Sequence, residues 1–266
     1  VDMRVALVPA GQFQRSGKSG THAIRFRRGL EVSITEVTAG QFRRFVEATQ
    51  YRSVAETAER PGAEVFDGKG FRWDPEACWD RCGLSAADLP VTCVAWEDAV
   101  AFCNWLSEQE RLRPCYYKRP EGGWGCDFTA PGFRLPTSAE WEHFARSGPA
   151  LLLPGPASAL EERGWFRPNS DGRPHPVGQK KPNRHKLCDV WGNVWEWCWD
   201  WYEARLPERA AEDPTGPPSG EQRTVWGGSW YEEPAAMSGG GARRGLPPDH
   251  RSTAVGFRVV RGMGGQ

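Results

Sequence analysis

Net charge is missing from this 266-residue chain, in which 34 lysines and arginines stand against 34 aspartates and glutamates. No global field therefore draws the protein to nucleic acid or to an anionic membrane surface. Long apolar runs are missing too. Nothing approaches the ~18 consecutive apolar residues of a membrane span, which argues against membrane insertion. Nothing at the N-terminus reads as a signal peptide, and a chain opening Val1-Asp2-Met3 is expected to have lost any leader it carried. No two of the eight cysteines form a C-x-x-C pair, so a zinc ribbon and a thioredoxin-type site are excluded. The last cysteine is Cys198. The five histidines (His22, His143, His175, His185 and His250) show no paired ligand spacing.

What is abundant points to an ordered but irregular protein. The 31 glycines and 22 prolines make up a fifth of the chain and favour turns over long helices. Fourteen tryptophans need a packed environment, which excludes disorder. Three helices are legible. Thr38-Ala39-Gly40-Gln41 and Thr137-Ser138-Ala139-Glu140 have capping-box spacing. Apolar Phe42, Phe45 and Val46 follow the first; Trp141, Phe144 and Ala145 follow the second. Between them Trp96, Ala99, Val100, Cys103 and Leu106 recur at helical intervals. Each is expected to run about three turns and to serve core packing. Residues 61–89, 114–132 and 207–222 read as loops. No linker divides the chain, which predicts one domain over residues 1–266.

The most informative stretch is Asp189 to Tyr202. Trp195, Trp197, Trp199 and Trp201 alternate with Glu196, Cys198 and Asp200, the period of a strand with one aromatic face. Gly192-Asn193 supplies a turn just before it. Two readings stay open on spacing alone. The indoles are simply core, or Asp189 and Glu196 join turn carbonyls around a hard cation such as calcium.

The motifs, taken in order, resemble a known family. Val8-Pro9-Ala10-Gly11-Gln12-Phe13, Glu36-Val37-Thr38, Val94-Ala95-Trp96-Glu97-Asp98-Ala99 and Phe133-Arg134-Leu135-Pro136-Thr137 come first. Pro176-Val177-Gly178, Gly192-Asn193-Val194-Trp195-Glu196-Trp197, Gly227-Gly228-Ser229-Trp230 and Gly256-Phe257-Arg258-Val259-Val260 follow. Together they resemble the formylglycine-generating enzyme (sulfatase-modifying factor) family from about residue 5 to 261. The resemblance implies an irregular α+β domain of the C-type-lectin-like kind, low in regular secondary structure. It also implies a structural calcium held by the side chains of Asp189 and Glu196 and the carbonyls of Gly192 and Val194. A second family calcium site has no match in the Trp165–Gly172 region. Active members hold copper through two cysteines between the matches to Gly228 and Pro248, since a cuprous ion needs soft thiolates. That stretch here contains no cysteine and one sulfur, Met237. The resemblance therefore assigns no catalytic residue, and the question of enzymatic activity leans toward none.

Cys103 and Cys198 then read as buried thiols. The remaining six fall mostly in loops, which predicts at least two disulfides and an oxidising compartment. Cys115 and Cys126 flank Glu121-Gly122-Gly123 and are the first choice for a bond across a hairpin. Three functions fit. The leading one is a non-catalytic binding and regulatory protein in the periplasm or another extracytoplasmic bacterial space. It would be similar to a periplasmic regulator of type VI secretion, whose partners are a membrane-associated lipoprotein and a kinase pathway. The alternatives are an enzyme of unrecognised chemistry in the same pocket, as in siderophore maturation, and a retroelement-diversified ligand receptor. In this fold C-terminal loops line the working groove. Trp230, Tyr231, Arg243 and Arg244 are thus the expected protein-binding residues, of types that dominate hot spots.

Overall fold

Helix starts are set where the sequence places hydroxyl caps. The computed structural model describes residues 2–17, 20–146, 157–240 and 242–263. At Thr38 the hydroxyl accepts from Gln41 N–H at 3.2 Å, while Thr38 N–H donates to Gln41 Oε1 at 2.9 Å. Thr137 and Glu140 repeat the exchange at 3.1 and 2.8 Å. The helix between them starts without a hydroxyl: Asp98 Oδ2 accepts from Ala95 N–H at 2.7 Å. The other oxygen of Asp98 accepts from Tyr51 Oη and from Val54 N–H, both at 2.9 Å. One buried carboxylate thus anchors two helix starts.

In chain order the elements begin with β1 (Val5–Val8), β2 (Gly11–Gly17), β3 (Gly20–Phe26), β4 (Leu30–Ser33), α1 (Ala39–Thr49) and α2 (Val54–Thr57). Then come β5 (Ala63–Phe66), β6 (Phe71–Asp74), α3 (Trp96–Gln109), β7 (Tyr116–Lys118), β8 (Trp124–Cys126), α4 (Ser138–Ala145) and α5 (Ala157–Glu161). The C-terminal part holds β9 (Trp195–Trp201), β10 (Ala211–Glu212), β11 (Arg223–Trp226), a 3-10 turn (Pro234–Gly240), β12 (Arg243–Leu246), β13 (Val255–Gly256) and β14 (Val260–Gly262). The result is the expected irregular α+β architecture. Sheets run β1-β4-β14, β10-β3-β2 and β12-β11-β9-β13, with hairpins β5-β6 and β7-β8. Antiparallel pairing of β14 with β4, Val260 against Val32, ties the two ends of the chain together.

The three expected helices are present, and the apolar residues that predict them are buried, except Val46, which is half-buried. Two differences have physical causes. Helix α4 has no polar face, because Glu140 and Glu142 are buried against arginines. Arg134 grips Glu140 at 2.6 Å through both terminal guanidinium nitrogens, and Glu142 meets Arg15 and Arg146 at 2.5 Å. The other is α2, a single turn inside a loop-rich stretch, begun where Glu56 Oε2 accepts from Ser53 N–H at 2.9 Å.

Strand β9 alternates as predicted, but it lies inside the sheet with both faces covered. Of its indoles, Trp199 packs on Trp96 of α3, with ring centroids 5.5 Å apart. Its polar side chains face α4: Glu196 accepts from Trp141 Nε1, and Asp200 Oδ2 from Ser138 N–H, both at 2.6 Å.

The disulfide expectation is corrected. All eight cysteines are free thiols, and Cys115–Cys126 is not bonded. In the β7-β8 register Cys126 pairs with Tyr116, not with Cys115. Neighbouring strand residues point to opposite faces, so the side chain of Cys115 turns away from that of Cys126. Cys115 Sγ sits instead 3.1 Å from the Gly132 carbonyl, in the interior.

Candidate metal centre and binding face

The turn entering β9 is built from left-handed backbone. Asp189, Gly192 and Asn193 have φ of 52°, 74° and 55°. Glycine is required at 192, where a Cβ would come within 2.3 Å of the Trp165 carbonyl oxygen. Asn193 locks the turn: its N–H donates to Trp165 O at 2.8 Å and its Oδ1 accepts from His175 N–H at 2.9 Å. The Asn193 carbonyl in turn accepts from Trp230 N–H at 2.8 Å.

Behind this turn lies a buried charge cluster. Arg258, fully buried, donates through Nε to both oxygens of Glu196 at 2.8 and 2.7 Å. Its other nitrogens reach the carbonyls of Ser33 and Cys188 at 3.1 and 3.0 Å. With Trp141 also on Oε2, the Glu196 carboxylate is saturated by donors. Asp189 is half satisfied: Oδ2 accepts from Gly178 N–H at 2.5 Å, while the buried Oδ1 has no partner. Glu36 is 0% exposed, and neither of its oxygens has one. Burial pushes Glu36 well above the usual carboxylate range, and the charges of Asp189 and Glu196 push it further. Asp189 is pushed up to about 6 by burial, against the Gly178 N–H and Arg258.

Three carboxylates thus face one buried guanidinium, with the Lys180 ammonium acting on Asp189 besides, so negative charge is in excess and is met by protonation or by a cation. Orphaned carboxylate oxygens on Glu36 and Asp189 are what a hard divalent ion takes. Among the described residues no three His, Cys, Asp or Glu side chains are grouped so that they could hold a metal ion. Asp189, Gly192 and Val194 stand together in the turn, whereas Glu196 is committed to Arg258 and Trp141. Glu36 is the member that sequence reasoning missed. It lies 153 residues from Asp189, and no local spacing joins them.

The four expected binding residues do not share a surface. Trp230 is core, 1% exposed, with Nε1 donating to the Thr253 carbonyl at 3.1 Å. Tyr231 is half-buried in an aromatic nest, 5.3 Å from Phe66 and 5.1 Å from Phe71, with the Arg167 guanidinium 4.4 Å from its ring centroid. Arg244 pairs with Glu232 and stacks 3.9 Å from Trp195, whose Nε1 also donates to Glu232. Arg243 lies on the opposite face of β12. It donates to the carbonyls of Glu203 and Ala204 at 2.8 and 3.3 Å and lines a separate cleft of about 490 Å³ with Asp200, Trp201 and Leu206. Tyr231 and Arg244 are half-buried beside the Glu232 segment, whereas Trp230 is core and Arg243 faces the separate cleft.

Fold, turn and motif order define the class. The chain belongs to the family of the sulfatase-modifying factor enzyme 1-like domain, whose model matches residues 3–263. It is 30% identical to the formylglycine-generating enzyme of Streptomyces coelicolor over 93% of this chain and 82% of that protein. Serine/threonine-protein kinase pkn1 of Chlamydia caviae is 32% identical over 97% of this chain, which spans 38% of the kinase. Among solved structures, Treponema denticola variable protein 1 superposes with a TM-score of 0.74 at 26% identity, covering 98% of this chain and 95% of that one. No helix among the described residues is long and apolar enough to cross a membrane.

Proposed function

We propose that this chain is a non-catalytic binding and regulatory protein on the formylglycine-generating enzyme scaffold, working outside the cytoplasm. One observation carries the reading. The stretch between Gly228 and Pro248, where active members place their copper-binding cysteines, holds none. An ion pair of Glu232 with Arg244 against Trp195 occupies part of it. Carboxylate and guanidinium offer a cuprous ion nothing soft to bind, so the groove is left to recognise rather than oxidise. The kinase among the relatives supports a signalling setting. The finer reading is regulation of type VI secretion through a kinase pathway, with a membrane-associated lipoprotein or a kinase sensor domain as partner.

Calcium belongs to the same proposal, as a structural ion that pins the turn beneath the groove. Asp189 and Glu36 supply free oxygens, and Gly192 and Val194 supply carbonyls. Glu196, taken by Arg258 and Trp141, is the ligand the geometry supports least.

The test uses the lipoprotein or sensor domain encoded nearest the gene, immobilised for binding measurements. Tyr231→Ala and Arg244→Ala should each weaken binding more than tenfold, about 1.4 kcal/mol. Arg243→Ala, on the other face, should leave it unchanged. Binding that survives the first two changes and follows substitutions in the 61–89 loops would remove the groove from the account.

A further inference from the structure

Three of the free cysteines meet away from the groove and the charge cluster. Cys82 and Cys93 pack in one small apolar cluster with Ala63 and Ala77. Their thiols are near enough for each to act on the other's proton affinity, and Cys78 acts on the charge of Cys93. The Thr92 hydroxyl is 3.8 Å from Cys82 Sγ.

The three thiols are not equivalent. Cys78 is fully buried, and its Sγ donates to Asp80 Oδ1 at 2.8 Å; burial and that carboxylate push it up to about 12. Cys93 is also fully buried, and burial pushes its thiol well up. Cys82 alone keeps some exposure, at 8%. The Cys93 thiol, supported by the Leu84 N–H and the Thr92 hydroxyl, brings it down to about 7 against the effect of burial. Reactivity follows the thiolate, so Cys82 is the attacking group and Cys93 the neighbour placed to resolve.

The backbone around the pair is unequal too. Cys93 is held in the left-handed region, with φ of 59°, and its N–H donates to the Ser252 carbonyl at 2.9 Å. A non-glycine residue kept there is over-determined by its surroundings. Cys82 lies in the loop after β6 and is not among the residues held at positive φ.

We propose that Cys82 and Cys93 form a reversible disulfide by exchange with a low-molecular-weight disulfide. The Cys82 thiolate attacks one sulfur of glutathione disulfide, forming a mixed disulfide and releasing one glutathione thiolate. Cys93 loses its proton to solvent, and its sulfur displaces the second glutathione from Cys82. Two protein thiols are oxidised to one disulfide, and one glutathione disulfide is reduced to two glutathiones. The bond closes an 11-residue separation and staples the loop to the segment that leads into α3.

The native protein is equilibrated with glutathione disulfide, its free thiols are alkylated, and it is digested with trypsin and an aspartate-directed protease. No lysine or arginine lies between Cys82 and Arg111, and cleavage before Asp88 separates the two cysteines. A bond therefore appears as segment 82–87 joined to segment 88–97, and dithiothreitol should split it. Oxidation should raise Tm by about 5 °C. Cys78→Ser should keep both the link and the shift, whereas Cys82→Ser and Cys93→Ser should lose both. Alkylated Cys82 and Cys93 in oxidised wild-type protein would overturn the proposal, as would a link from Cys93 to Cys78. The wild-type map decides even where a serine variant folds poorly.

Discussion

Replacing Arg258 by methionine removes the buried guanidinium that faces Glu36, Asp189 and Glu196 while nearly keeping side-chain volume. Arg258 is fully buried, and its closest approach to Glu196 is 2.6 Å. The change leaves a saturated carboxylate with only Trp141 as donor and also frees the carbonyls of Ser33 and Cys188. Breaking a buried pair from one side costs about 3–5 kcal/mol, because the remaining charge stays uncompensated. For a chain of this length that lowers Tm by on the order of 10 °C. Arg258→Met with Glu196→Gln removes the stranded charge and keeps an amide oxygen for Trp141, so the double variant should be more stable than the single one. Glu196→Gln alone should cost less than Arg258→Met, since Glu36 and Asp189 still face the guanidinium. Urea unfolding of all four proteins gives the cycle. A loss under 1 kcal/mol for Arg258→Met, or a double variant weaker than it, would refute the reasoning.

Two further outcomes follow from the same interior. Calcium chelation should lower Tm by several degrees. Glu36→Gln and Asp189→Asn should abolish the difference between chelator and calcium, and a crystal soaked in calcium should show ion–oxygen distances of about 2.3–2.6 Å; a Tm indifferent to chelation contradicts this. Asp200, pushed by burial from 3.8 up to about 7 against the Ser138 N–H, binds its proton more tightly folded than unfolded. Stability should therefore fall as pH rises from about 4 to 7, with Asp98 and Asp189, each raised to about 6 by burial, adding to the lower part of that slope. Asp200→Asn should flatten it in thermal scans, and an unchanged slope would show that Asp200 is not the source.

Local chemistry made much of the fold legible. The Thr38 and Thr137 boxes and the alternation of β9 are spacings of two to four residues, and each is found where it was read. The charge cluster was only half legible: Asp189 and Glu196 lie seven residues apart in one motif, but Glu36 and Arg258 come from opposite ends of the chain. What Glu196 touches is decided by the sheet that brings β9 beside the 257–260 segment, not by its neighbours in sequence. The expected binding residues were dispersed for a related reason. Trp230, Tyr231, Arg243 and Arg244 have the right residue types, yet strand alternation at β12 sends the two arginines apart and the core claims Trp230. The hairpin cysteines show the same limit, since loop length suggested a bond that strand register does not allow.

On the proposed function, this scaffold binds without making formylglycine. The direct measurement is to incubate the protein with copper and a sulfatase-derived cysteine peptide under air, then follow peptide mass and aldehyde capture by a hydroxylamine probe. The thiol should stay intact, at the level of a control without protein. Aldehyde formed above that control would contradict it.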